Sequence, residues 1–136
     1  MTPCDTGPLV ALVDRRDANH AACVAAIHRL ASGPLMTTWP CFTEAMHLGY
    51  RNGGYRAQEA LWQLRASGRL AFHQPAAWEV DRMVALMAKY RDLPMDLADA
   101  SLVAMSEAFG VQTVFTLDRH FHAYRLIDGS ALNVVP

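Results

Sequence analysis

The chain has 136 residues, 52% of them hydrophobic and 18% charged, a composition that suits one domain around one core, is too short for two, and excludes intrinsic disorder. No uninterrupted apolar run approaches the roughly 20 residues that cross a bilayer, and the opening MTPCDTGPLV lacks the basic start and apolar stretch of a secretory signal, so a cytoplasmic protein without membrane contact is expected. The net charge of −1 gives no overall attraction to nucleic acid, and Cys4, Cys23 and Cys41 are too widely spaced for a zinc-binding pair or a disulfide framework.

MTPCD reads as a very short strand that runs into the turn DTGP, and Leu9 to Val13 as a helical turn or two. Asp17 is positioned to cap a helix from Asn19 to Ala31 whose apolar face is Ala22, Ala26, Ile27 and Leu30. Ser32-Gly33-Pro34 ends it. Leu35 to Thr38 is a short strand, after which Pro40 opens a helix reaching Arg51 and closed by Asn52-Gly53-Gly54. Tyr55 to Ala66 is a helix that carries arginines, and Leu70 to His73 is strand-like. Ala76 to Tyr90 is helical up to the break at Asp92-Leu93-Pro94. Leu97 to Phe109 is a helix stopped by Gly110. Val111 to Leu117 is the clearest strand, rich in β-branched residues, and Leu132 to Val135 is an edge strand. Short apolar strands alternating with longer helices predict a parallel sheet with helices on both faces, the function gathering at the carboxyl ends of the strands.

That rule directs attention to the acids. Asp5 follows the first strand and Asp118 follows Val111 to Leu117. Glu44 sits in the helix after the second strand, its helical neighbours Cys41, Ala45 and Leu48 forming an apolar stripe in which a lone charge is costly. Asp99 lies in the first turn of a helix, bordering the stripe of Ala98, Leu102, Met105 and Phe109. Each acid has an ordinary explanation of its own. Asp5 suits an Asx turn, Glu44 the favourable end of a helix dipole, and Asp118 a turn cap. Asp96 reads as an N-cap, with Asp99 as its capping-box partner. Their joint placement is what needs a further reason. Clustered carboxylates repel one another, and a hard divalent cation relieves that repulsion. Mg²⁺ or Mn²⁺ prefers such oxygen ligands, keeps several waters and accepts phosphate oxygens.

The run DTGPLVAL, the helix PCFTEAMHLG, the segment DLPMDLADASLVAMSEAFG and the ending VFTLDRHF occur in the order found in PIN-domain proteins, and the chain resembles that family over nearly its whole length, most nearly the VapC-like toxin nucleases. The resemblance implies a single domain over residues 1–136, a three-layer α/β/α fold with a central parallel sheet of four or five short strands, and endonucleolytic cleavage of RNA that leaves a 5′-phosphate and a 3′-hydroxyl. It implies Mg²⁺ or Mn²⁺ held by Asp5, Glu44, Asp99 and Asp118, with Asp96 as an outer ligand and with Thr6 and Thr116 as supporting hydroxyls. It also implies a homodimer and a small antitoxin partner. Relative to the family's usual pattern, MTPC is a short first strand containing Pro3, so a truncated strand is expected there.

Other readings compete. The tripeptide Asp5-Thr6-Gly7 is shared with aspartic proteases, which need a strand-rich fold and two such aspartates. A receiver-like signalling domain would want a lysine after a late strand, whereas Lys89 falls in a helix. A PIN-like module that binds RNA or protein without cutting is the third reading, and the complete set of acids argues against it. Arg51, Arg56, Arg65 and Arg69 fit a solvated helical surface or a phosphate-contacting patch. Trp39, Tyr50, Tyr55 and Trp62 are expected mostly in the core, although such rings also stack on bases. His120 and His122 are expected at the surface.

Overall fold

The computed structural model describes residues 1–136. Five strands and six helices follow one another as β1 (Thr2–Pro3), α1 (Thr6–Val13), α2 (His20–Ile27), β2 (Leu35–Thr38), α3 (Trp39–Gly53), α4 (Tyr55–Ala66), β3 (Leu70–His73), α5 (Ala77–Lys89), α6 (Leu97–Phe109), β4 (Thr113–Phe115) and β5 (Asn133–Val135), with a 3-10 turn at Arg119–His122. Strands β1, β2 and β3 pair in that order and in parallel, and β4 pairs in parallel with β5. A parallel bridge between Cys4 and Phe115 joins the two sets, with the Asp5 amide donating to the Phe115 carbonyl at 2.9 Å. The spatial order is therefore β3-β2-β1-β4-β5.

Successive strand residues point to opposite faces, and here they enter different cores. Val114 packs with Leu86, Leu102, Met105 and Tyr124, under α5 and α6. Its neighbour Phe115 packs with Leu9, Cys23, Phe42 and Leu61, under α1 to α4. Met36 and Leu35 divide in the same way, as do Val134 and Val135. The result is the three-layer arrangement the alternating elements imply. No helix is long and apolar enough to cross a membrane.

Several boundaries differ from the sequence expectation for local reasons. The second helix stops at Ile27, because Arg29 and Leu30 donate to the carbonyls three residues back, at Ala26 and Ile27, and tighten the chain into turns. Asp17 is not its cap. The Asp17 carboxylate accepts from the Asn19 amide at 2.8 Å in an Asx turn, and Asn19 takes the cap position without a side-chain bond. The fourth strand is shorter than Val111 to Leu117. Gly110 is left-handed at φ 64°, and the Val111 amide closes back onto Ser106, so Val111 and Gln112 serve the exit from α6. The first strand is as short as expected, and α1 begins directly after it. Gly7 is closely packed there: a Cβ at that position would lie 3.3 Å from the Leu117 side chain, which would have to shift by a few tenths of an ångström.

Phe115 is fully buried beside the strand bridge. Phe115→Ala is expected to destabilise the fold by about 3–5 kcal/mol, read as a lower urea midpoint; a loss below about 1 kcal/mol would contradict this account of the core.

Candidate metal centre

Asp5 occupies the junction of β1 and α1, where it is 5% exposed. Its Oδ1 accepts from the Thr6 amide at 2.7 Å, which caps α1. Its Oδ2 accepts from the Thr116 hydroxyl at 2.6 Å, and the Cys41 thiol approaches Oδ1 at 3.7 Å. Thr116 ends the β4 path and does two things at once. While its Oγ1 donates to Asp5, it accepts from the Asp118 amide at 3.0 Å, turning the chain so that Asp118 reaches the same edge. Asp118 then accepts from the His120 amide at 2.9 Å.

Glu44 arrives from α3. The Thr6 hydroxyl lies 3.2 Å from its Oε2 and 3.0 Å from the Cys41 carbonyl, so α1 and α3 are tied where the acid emerges. Asp99 arrives from α6 on the opposite face of the sheet. Its Oδ2 accepts from the Tyr124 hydroxyl at 2.7 Å, while its amide donates to Asp96 Oδ1 at 2.8 Å. The structure thus brings Asp5, Glu44, Asp96, Asp99 and Asp118 to one cleft of about 300 Å³, whose other lining residues are Thr6, Gly7, Leu48 and Leu117. No basic side chain lines it.

The electrostatic consequence falls on the two buried acids. Burial pushes the Asp5 carboxyl up; the hydrogen bonds from Thr116 and Thr6 oppose that push, and the charges of Asp118 and Glu44 add to it. Burial also pushes Asp99 up to about 7, opposed by the Tyr124 hydrogen bond and reinforced by Asp96, Asp5 and Asp118. Tyr124 is itself raised, by burial and then by its bond to Asp99, so its hydroxyl stays a donor.

No three of the chain's His, Cys, Asp and Glu side chains converge tightly enough to cage an ion by themselves. The donor set fits a hard, hydrated divalent cation, which takes one or two carboxylates directly and others through its waters. It does not fit a soft metal, because Cys41 lies buried behind Asp5 with its thiol pushed up by burial and by the Asp5 charge.

Three sequence expectations need correction. Glu44 is exposed rather than embedded, because the buried stripe of α3 is Cys41, Phe42, Ala45 and Gly49 and the acid stands on its flank. Asp99 does not complete a capping box with Asp96; the amide half is present, but the carboxylate turns away to Tyr124. Trp39, Tyr50, Tyr55 and Trp62 are all substantially exposed, between 39% and 66%. His120 and His122 are exposed, with Phe121 buried between them. The sequence reading missed Tyr124 and Cys41. Tyr124 is 25 residues from Asp99 and belongs to no pattern around it, so only the packing of the tail onto α6 reveals the pair.

Residues 4–126 match the family profile described as PIN domain. Ribonuclease VapC26 of Mycobacterium tuberculosis is 29% identical over 133 residues, spanning 97% of this chain and 98% of that protein. Two solved structures share the fold. Mycobacterium tuberculosis VapC20, a toxin that cleaves the Sarcin-Ricin loop, matches with a TM-score of 0.84 at 20% identity over 100% of both chains. VapBC2 of Rickettsia felis, bound to a DNA fragment from its promoter, matches with a TM-score of 0.71 at 13% identity, covering 99% of this chain and 98% of that one.

The raised Asp99 has a sign that can be measured. An acid that holds its proton more tightly in the folded chain favours the native state below its unfolded pKa. That advantage is lost as pH rises from about 4, the unfolded value, to about 7, the folded one. In the metal-free protein, Asp99→Asn is therefore expected to be more stable than the parent at pH 8 by on the order of 1–2 kcal/mol, allowing for solvent screening, with the gap narrowing toward pH 4. Urea denaturation at both pH values checks this, and a gap independent of pH would refute it.

Proposed function

The chain belongs to the PIN-domain family, and on that footing we propose that it is a metal-dependent endoribonuclease, the toxin of a toxin–antitoxin pair, working as a single nuclease domain over residues 1–136. The observation that carries this reading is the cleft itself: five carboxylates from both faces of the sheet and no cationic side chain among the lining residues. Left to itself such a surface repels phosphate, so its use on RNA requires a neutralising ion. The ribonuclease named above and the toxin that cleaves an RNA loop support RNA as the substrate, and the VapBC assembly supports a small antitoxin as partner. A cytoplasmic homodimer is the form we expect.

Asp5, Glu44, Asp99 and Asp118 are the proposed ligands, with Asp96 at the rim as an outer one. Bound Mg²⁺ or Mn²⁺ would supply Lewis-acid activation of the attacking water and neutralise charge on the scissile phosphate. The protein's own part is orientation. The Thr6 amide and the Cys41 thiol both meet Asp5 Oδ1, while Oδ2 takes only the Thr116 hydroxyl and keeps a lone pair for the cleft. Tyr124 occupies Asp99 Oδ2, so Oδ1 is the oxygen left to the cleft. Thr6 steadies Glu44, whose exposure puts it where solvent and substrate enter. In the hydrolysis, the oxygen of water bonds to phosphorus as the bond from phosphorus to the 3′ oxygen breaks. A 3′-hydroxyl and a 5′-phosphate remain.

Purified protein is expected to cut single-stranded or looped RNA with Mg²⁺ or Mn²⁺ and to stop in EDTA. Asp5→Asn and Asp99→Asn, which keep shape and remove charge, are each expected to lower the rate by about 10²-fold or more, with circular dichroism unchanged. Cleavage that continues in EDTA, or at full rate in either variant, would falsify the mechanism; RNA binding by the folded parent without any cleavage would favour a non-cutting module instead.

A further inference from the structure

A second concave surface lies on the β3 flank of the sheet, and its chemistry differs from that of the acidic cleft. Trp39 stacks on Phe72 with centroids 4.3 Å apart and planes within 12°. Phe42, buried between them and α4, meets Phe72 edge-on at 4.7 Å and Trp62 at 4.9 Å. The two indoles are held by this interlocked set yet stay open to solvent, Trp39 at 39% and Trp62 at 45%. Together with Phe72, Arg65 and Gln74 they line a groove of about 720 Å³. Arg65 is exposed and has no carboxylate partner, and no acid lines the groove.

We propose that this groove is a subsite for single-stranded RNA, in which bases stack on Trp39 and Trp62 while Arg65 meets the backbone phosphate. The proposal rests on the ribonuclease reading and says where the substrate is gripped. Rigid, solvent-facing indoles beside an unpaired guanidinium are what a sequence-tolerant single strand needs, since every base has a π-face. Placement supports the same occupant. Asp5 follows β1, Trp39 follows β2, and Phe72 to Gln74 close β3. These are neighbouring parallel strands, so at Trp39 and Gln74 the groove reaches the carboxyl edge that carries the acids, while Arg65 and Leu70 line its far end, beside the start of β3. The acids attract RNA only through a bound ion, so affinity has to be gathered at a surface beside them.

The test uses fluorescein-labelled octauridylate, read by anisotropy against the full chain with Ca²⁺ present. Trp62→Ala is expected to weaken binding about tenfold and Arg65→Ala severalfold. Trp78→Ala, which removes an exposed indole on α5 outside the groove, should leave binding unchanged. With Mn²⁺ and an unlabelled octamer, the two groove variants should raise KM in the same proportion while kcat and Mn²⁺ affinity stay at parental values. Arg65→Ala, on an exposed helical position, keeps the test valid should the tryptophan change disturb the fold. Equal Kd values for the parent and both groove variants overturn the proposal. Weakened binding with no cleavage by the parent would uphold the subsite and remove the ribonuclease reading.

Discussion

A strand of two residues holds the molecule together. β1 lies between β2 and β4, and its short backbone is fixed by the Cys4 amide on Met36 at 2.7 Å and by the Asp5 amide on Phe115 at 2.9 Å. Without the bridge from Cys4 to Phe115 the sheet would be two separate pieces, one of three strands and one of two. The same bonds set the height of Asp5 above the sheet and bring Thr116, one residue past Phe115, within 2.6 Å of its carboxylate. Backbone pairing and the geometry of the acidic cleft are thus a single constraint. Side chains from either face of the sheet share a site only because β1 fixes where both faces end.

The arrangement is unfavourable by itself, and the fold makes it tolerable through hydrogen bonds rather than counter-charges. Asp5 and Asp99 are both buried and both pushed toward protonation. Elsewhere the chain answers buried acids differently: Glu107 receives a two-pronged bond from Arg82 at 2.9 Å, and Glu79 meets His73 at 2.6 Å. Cations are available to this fold, and the cleft does not use them. Hydroxyls from Thr6, Thr116 and Tyr124 orient the carboxylates there without supplying any positive charge. That is the condition under which a divalent ion gains most by entering. Under the proposed function, stability sacrificed at the cleft in the metal-free chain would reappear as affinity for the ion.

Much of this is legible in the residues, and the exceptions have physical causes. Alternation of short apolar strands with longer helices reveals the layers, because the period of the pattern changes with the element. The acids stand out because four of the five lie next to a strand end or in the first turn of a helix. What the sequence conceals depends on contacts between distant segments. The outward position of Glu44 turns on which flank of α3 meets α1. The bond from Tyr124 to Asp99 depends on how the tail folds over α6. The exposure of Trp39 and Trp62 follows from β3 being an edge strand, whereas composition alone assigns large aromatics to the interior. The curtailed strand β4 reflects two residues diverted to leave a left-handed glycine, and local preference alone does not reveal that diversion.

The two cores have a consequence for how activity arises during synthesis. The half of the chain built on α1 to α4 carries Asp5 and Glu44. Asp99 and Asp118 come with α6 and the segment after β4, which are made last. A nascent or truncated polypeptide therefore holds an incomplete set of acids and lacks the Thr116 hydroxyl that orients Asp5. Whatever chemistry needs the whole set of acids therefore arises only after the tail has folded onto α6.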